Sequence, residues 1–238
     1  MTKTIFFGSC DISDLLQYTC KILSAAGKRV LLIDNTIERY IYYGTQNNNS
    51  ELKLAENDGF EIAHGFLKLS DLERFLTNNE LYDQVLIHCT DPKFLSKSDL
   101  QKFNKKYVAV NNERIVLEKT VEFLNELFSG KGEGVGPIQL TKLVVNHVIC
   151  DIAEDYLESV LGKFPIVWSD ESYEMLFDEI DFATKINNQH SGQNNINRLS
   201  RVFKKTLMNI SEEISGLEKK EIKSAFKQAK RRKRVWGK

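Results

Sequence analysis

Residues 4–34 read TIFFGSCDISDLLQYTCKILSAAGKRVLLID, and three signals within them decide the fold. Thr4 to Phe7 is an apolar run of strand length. Ser13 to Ala26 places Leu15, Leu16, Cys20, Ile22 and Leu23 on or near one helical face. Gly27 ends that helix, and Arg29 to Ile33 is a second apolar run. Strand, helix and strand in this order make a βαβ unit, in which the two strands run parallel and the helix covers the sheet.

The same alternation continues outward from this unit. Val85-Leu86-Ile87, Tyr107 to Val110 and Lys142 to Val148 read as short buried strands, with helices over Ser98 to Asn104 and Ile115 to Phe128 between them. Pro165-Ile166-Val167 reads as the last core strand. Pro92, Pro137 and Pro165 all fall at element boundaries, where a missing amide donor does little harm. The fold class is therefore α/β, a mostly parallel sheet with helices on both faces. The Asn-rich stretch Thr45 to Asp58 and residues 185–197, KINNQHSGQNNIN, are polar and aperiodic and read as loop or linker. We expect an α/β domain over 1–183, a polar linker over 184–198, and an amphipathic helix with a basic tail over 199–238. Leu199, Phe203, Leu207, Ile210, Ile214 and Leu217 recur at spacings of four and three, an apolar stripe that must pack on the protein's own core or on a partner.

The chain has 238 residues, 33 Lys+Arg and 33 Asp+Glu, so its formal net charge is zero. Neutrality excludes a uniformly basic surface but not a localised one. With 42% hydrophobic and 28% charged residues, disordered and collagen-like classes do not fit. No apolar run reaches the roughly 20 residues of a membrane span, and the N-terminus lacks the apolar core of a signal peptide, so the expected compartment is the cytoplasm. The four cysteines, at 10, 20, 89 and 150, have no zinc-type spacing and read as reduced thiols.

The opening Thr4-Ile-Phe-Phe-Gly-Ser, the helix after it and Gly27-Lys-Arg-Val-Leu-Leu-Ile-Asp34 together resemble the start of the MinD/ParA-like P-loop ATPases. Tyr82-Asp-Gln-Val-Leu-Ile-His88 is similar to that family's second acidic strand. Leu143-Val-Val-Asn146 resembles the strand carrying its base-contacting asparagine, and Leu161-Gly-Lys-Phe-Pro-Ile166 its last strand region. The resemblance covers residues 1–182. It implies a P-loop NTPase-like fold, and relatives that position cell-division, plasmid-partition, flagellar, pilus or secretion machinery by ATP-gated dimerisation.

The catalytic parts depart from that pattern. A P-loop needs successive glycine amides around the phosphates, a lysine ammonium and a Ser/Thr hydroxyl on magnesium. Here the loop is only Gly8-Ser9-Cys10-Asp11-Ile12-Ser13, with one glycine and no lysine, and Asp11 puts a carboxylate where phosphate belongs. Ser9, Asp11 or Ser13 can accept from the free amides of the helix and fill the anion position from within. Thr36 stands where the family has an Asp two residues beyond Asp34, and His88 stands at the magnesium-binding position, a poor partner for a hard cation. Gly8, Ser9, Asp11, Ser13 and Asn146 are thus the candidates for a degenerate nucleotide site, with Asn146 either a ligand contact or a strand-end residue bonding loop amides. ATP and magnesium are not expected as cofactors.

Ser129-Gly-Lys-Gly-Glu-Gly-Val-Gly136 imitates a P-loop, but it follows a helix and precedes a strand, and Pro137 stands in place of the lysine. Cys10, Asp34, His88 and Cys89 all belong at strand ends, yet consecutive His88 and Cys89 point to opposite faces while the strand lasts.

At the C-terminus, Lys219, Lys220, Lys223, Lys227, Lys230, Arg231, Arg232, Lys233, Arg234 and Lys238 face only Glu221, and Trp236 sits among them. Lys227, Lys230, Arg231, Arg232, Lys233, Arg234 and Trp236 suit an anionic membrane surface or, less, nucleic acid. A solvated tail, or one folded back on the acids between Asp151 and Asp181, remains open. These readings converge on a non-catalytic scaffold or positioning factor, with a protein partner in a membrane-associated assembly, a possible homodimer, and a place at the inner face of the membrane. The rival readings are an ATPase with an atypical loop and a DNA-binding partition accessory.

Overall fold

The computed structural model describes residues 1–45, 54–79, 81–129, 136–152 and 156–231. Eight strands form one sheet: β1 (Thr2–Phe7), β2 (Val30–Asn35), β3 (Leu54–Asn57), β4 (Phe60–His64), β5 (Gln84–Cys89), β6 (Lys105–Val110), β7 (Ile138–His147) and β8 (Ile166–Leu176). Their spatial order is β3-β4-β2-β5-β1-β6-β7-β8. All neighbours are parallel except β3 and β4, an antiparallel hairpin. Every residue of β2 and β5 is buried, which is why both read as unbroken apolar runs rather than alternating ones.

Among the described residues the helices are α1 (Ser13–Ala25), α2 (Tyr40–Tyr43), α3 (Leu69–Asn78), α4 (Arg114–Ser129), α5 (Tyr156–Leu161), α6 (Glu179–Ser191), α7 (Arg201–Ser215) and α8 (Lys219–Ala229). The step from β1 to β2 moves toward one sheet edge and the step from β6 to β7 toward the other. Crossovers between parallel strands are right-handed, so α1 and α4 lie on opposite faces. In keeping with this, α7 and α8 pack on α1, and α5 packs on α4. The direction of winding reverses between β1 and β6, and open α/β sheets carry their crevice at such a reversal, beyond the carboxyl ends of the strands.

Several segments differ from the sequence reading. Residues 54–57, expected as loop, form β3, joined to β4 through Asp58 and Gly59, both at positive φ. The expected helix over Ser98 to Asn104 is a short 3-10 turn, Ser98–Lys102. The stretch expected to be a linker is helical as far as Ser191. Asp178 caps α6 by accepting from the amides of Ile180 and Asp181, and Gly192 closes it at φ 64°. This helix escapes a search for apolar periodicity because its buried residues are Asp181, Thr184, Lys185 and Asn188.

Of the two placements open to the Leu199–Leu217 stripe, the structure takes the core, so the reading of it as a partner-contact helix is set aside. Leu199, Leu207, Ile210 and Ile214 are buried, and Phe203 and Leu217 are partly buried against the same core, so the stripe of α7 is internal packing rather than a free docking face. Burying such side chains contributes about 1.5–3 kcal/mol each, reason enough for α7 to lie down on α1. Arg232, Lys233, Arg234 and Trp236 lie outside the described residues, as do residues 130–135 of the P-loop look-alike. That segment does connect the end of α4 to β7, the reverse of the strand–loop–helix order.

Candidate functional site

The candidate site lies at the sheet's winding reversal, where β1 passes through residues 8–12 into α1. Gly8 has φ +118°, and a Cβ there would stand 2.0 Å from the carbonyl oxygen of Ala109 on β6. The glycine is therefore required by the close approach of β1 and β6, with no need to invoke phosphate. The Ser9 amide donates to Thr120 Oγ1 of α4 at 3.3 Å. Of Ser9, Asp11 and Ser13, Asp11 is the one whose side chain accepts from a helix amide among the described residues, its Oδ1 taking the Ser13 amide at 2.9 Å. A carboxylate at a helix N-terminus is favoured by the exposed amides and the helix dipole.

The loop lacks a lysine, but an ammonium reaches it from α6. Lys185 Nζ lies 2.7 Å from Asp11 Oδ2 and 3.5 Å from Asp14 Oδ1, and it also donates to the Asp11 carbonyl at 3.4 Å. The Lys185 side chain is only 11% exposed. Burial pushes the Asp11 carboxyl up, but the Lys185 ammonium and the hydrogen bonds from Lys185 and Ser13 together bring it below its ordinary value. Burial raises Asp14 more than Lys185 lowers it, and the Asp11 carboxylate adds to the rise. For Lys185 itself the two carboxylates outweigh burial and hold the ammonium above its ordinary value.

Asp11, Asp14 and Lys185 line a cleft with Val145, Asn146 and Met175, so the structure brings Asn146 to the same place as Asp11. Asn146 is exposed and takes a left-handed backbone, φ 49°, at the end of β7. The cleft has a volume of about 30 Å³, room for roughly one water molecule. Sites for drug-sized ligands run to about 300–1,000 Å³.

The other strand-end residues, Asp34, His88 and Cys89, have separate surroundings. Asp34 Oδ1 accepts from the Thr36 amide and hydroxyl, and Oδ2 from the amides of Ile41 and Tyr42, so this carboxylate caps α2. His88 is fully buried, faces Asp34 across the β2–β5 ladder and stacks against Tyr40 with ring centroids 5.9 Å apart. Among the described residues neither of its ring nitrogens has a hydrogen-bond partner, and burial lowers its pKa despite the carboxylates of Asp34, Asp11 and Glu38. Cys89 points away from His88. It donates to the Asp91 carbonyl, and burial pushes its thiol up to about 12. The Cys10 thiol is likewise held protonated by burial. Among the described residues no three His, Cys, Asp or Glu side chains are grouped to hold a metal ion.

This donor set does not fit a magnesium triphosphate. The start of α1 carries a carboxylate, the loop supplies neither lysine nor a run of glycine amides, and the end of β5 holds a buried, neutral imidazole. Lys185 is the residue that sequence reasoning missed. Its signal is the polar series Asp181, Lys185 and Asn188, at helical spacing behind an Asp178 cap.

No protein-family model matches the sequence, and no curated protein matches it. Among solved structures the chain is similar to a MinC:MinD cell division protein complex from Aquifex aeolicus, with 13% identity over 95% of each chain and a TM-score of 0.52. It is also similar to a structure described as a plasmid partition protein from Borrelia burgdorferi B31 bound to AMPPNP. There the identity is 12% over 96% of this chain and 99% of that one, with a TM-score of 0.50. The chain therefore has the MinD/ParA-like P-loop ATPase fold. At these identities the likeness speaks to the fold and no further.

Proposed function

We propose that this chain is a non-hydrolysing MinD/ParA-like positioning or scaffold factor that acts through protein contacts in an assembly at the cytoplasmic membrane, of the division, partition, pilus or secretion kind. The observation that carries this reading is the Asp11–Lys185 pair, which stands at the α1 N-terminus where an active relative would hold phosphate. Without a nucleotide cycle the molecule loses a timer and keeps its surfaces, including any used for self-association. Calorimetric titration with ATP and magnesium, run beside a phosphate-release assay, is expected to give neither heat of binding nor turnover. Micromolar binding accompanied by turnover would sink the proposal.

An anionic membrane surface is the contact proposed for the C-terminal segment. Lys227 and Arg231 are exposed at the end of α8. The fold sets that end beside the start of α7, with Asn197 donating to the Lys230 carbonyl at 3.2 Å and accepting from Lys204 at 2.8 Å. Arg198, Arg201 and Lys205 are exposed there as well, so the cationic surface extends beyond the tail. Cosedimentation with phosphatidylglycerol vesicles should fall steeply with salt and disappear on deleting residues 227–238. Retention of duplex DNA without vesicle binding would favour the DNA-accessory reading instead. Among the described residues no helix is long and apolar enough to cross a membrane.

A further inference from the structure

Helix α6 is built inside out. Its buried residues are Asp181, Thr184, Lys185 and Asn188, whereas Ile180, Phe182 and Ile186 are exposed. No apolar side chain of α6 belongs to the buried core. Its attachments are polar: Asp181 accepts from the Ser200 amide, Asn188 donates to the Tyr18 hydroxyl at 2.8 Å and to the Asn195 carbonyl at 3.1 Å, and Lys185 reaches Asp11 and Asp14. Segments lacking buried apolar contacts open locally at less cost than the core.

We infer that Lys185 is a built-in latch, whose ammonium does the structural work of a bound cofactor by pinning α6 to the N-terminal turn of α1. Breaking the contact frees α6 while leaving the sheet folded. The geometry supports this specifically. One end of the latch is a carboxylate fixed by the Ser13 amide, the other is a lysine on a helix with no apolar side chain in the buried core, and the two lie 174 residues apart in sequence. The latch also sets how the outward side chains Phe182 and Ile186 are presented. This inference deepens the self-filled reading of the site and rests on it.

Hydrogen exchange of the intact chain, followed over residues 179–191 and over β1, β2 and β5, tests the latch. In Lys185→Met, and in the double variant Asp11→Asn with Asp14→Asn, exchange in α6 should accelerate at least tenfold while the three strands keep their protection. Lys185→Arg, which retains the charge, should stay within threefold of the parent. Wild-type protection of α6 in Lys185→Met overturns the inference, as does equal acceleration in the strands, which would make the cluster ordinary core support. Should either variant fail to fold because it leaves buried charge unpaired, the triple variant Asp11→Asn, Asp14→Asn, Lys185→Met leaves none of the three charges and decides the question. ATP and magnesium added to the parent are a separate arm: a change in α6 exchange there refutes nucleotide independence and leaves the variant comparison standing.

Discussion

Glu213 on α7 offers a direct measure of how far the C-terminal helices belong to the core. Its side chain is 8% exposed and accepts from the Tyr107 hydroxyl of β6 at 2.6 Å and the Tyr173 hydroxyl of β8 at 2.9 Å, with Lys105 Nζ at 3.0 Å. Burial, reinforced by the Glu213 carboxylate, pushes both phenol pKa values far up, so both hydroxyls stay donors. Glu213→Ala leaves two donors without an acceptor, at about 1–3 kcal/mol each, with the fully buried Tyr107 toward the upper end. The Lys105 side chain is 39% exposed, so its pair adds little, about 0–1 kcal/mol. The expected loss is about 2–5 kcal/mol for Glu213→Ala and about half of that for Glu213→Gln, which keeps an acceptor oxygen. Urea unfolding followed by circular dichroism is the assay. A single transition shifted to lower urea is expected, and Tyr107→Phe should recover about 1–2 kcal/mol of the Glu213→Ala penalty in a double-mutant cycle. A loss below about 1 kcal/mol, or a separate early transition from α7 and α8, would refute the reasoning and make the α7 stripe a surface free for a partner again.

Gly8→Ala combines a positive φ with a backbone clash that no rotamer relieves, and should cost about 3 kcal/mol or more by urea unfolding, with no ligand involved. For His88 the folded pKa lies below the ordinary 6.5, so its contribution is complete above that pH and is lost as pH falls toward the folded value. Stability measured at pH 7.5 and 5.5 should therefore drop more in the parent than in His88→Phe, by up to about 1.4 kcal/mol per pH unit. Lys185 has the opposite sign: its folded pKa lies above the ordinary 10.5, so its contribution is intact below that value and is lost as pH climbs through the folded one. Thermal melts between about pH 9 and 11.5 should show an alkaline loss that Lys185→Met lacks.

The strands and amphipathic helices were legible because burial writes apolar periodicity into sequence. The β1, β2, β5 and β6 runs and the Leu199–Leu217 stripe all have that origin. What the stripe packs on was not legible, since a core helix and a docking helix share one pattern, and only the burial of Leu207, Ile210 and Ile214 separates them. The Asn-rich stretch over residues 185–197 misled for a related reason. Its asparagines read as solvated linker, yet Asn194 is buried and donates its amide to Asp58, and Asn188 binds Tyr18 and the Asn195 carbonyl. Polar residues that satisfy one another inside a fold look in sequence like residues that satisfy water.

That same blindness hid the centre of the site. Reading the loop alone yields only losses: no lysine, one glycine, an unwelcome carboxylate. Two carboxylates near the mouth of a buried cleft would be costly if nothing paired them, and breaking a buried pair typically costs about 3–5 kcal/mol. The fold supplies the pairing charge from Lys185, so the carboxylates of this turn are paired within the polypeptide. Asp34 likewise has an internal task, capping α2, and burial keeps His88 neutral beside it.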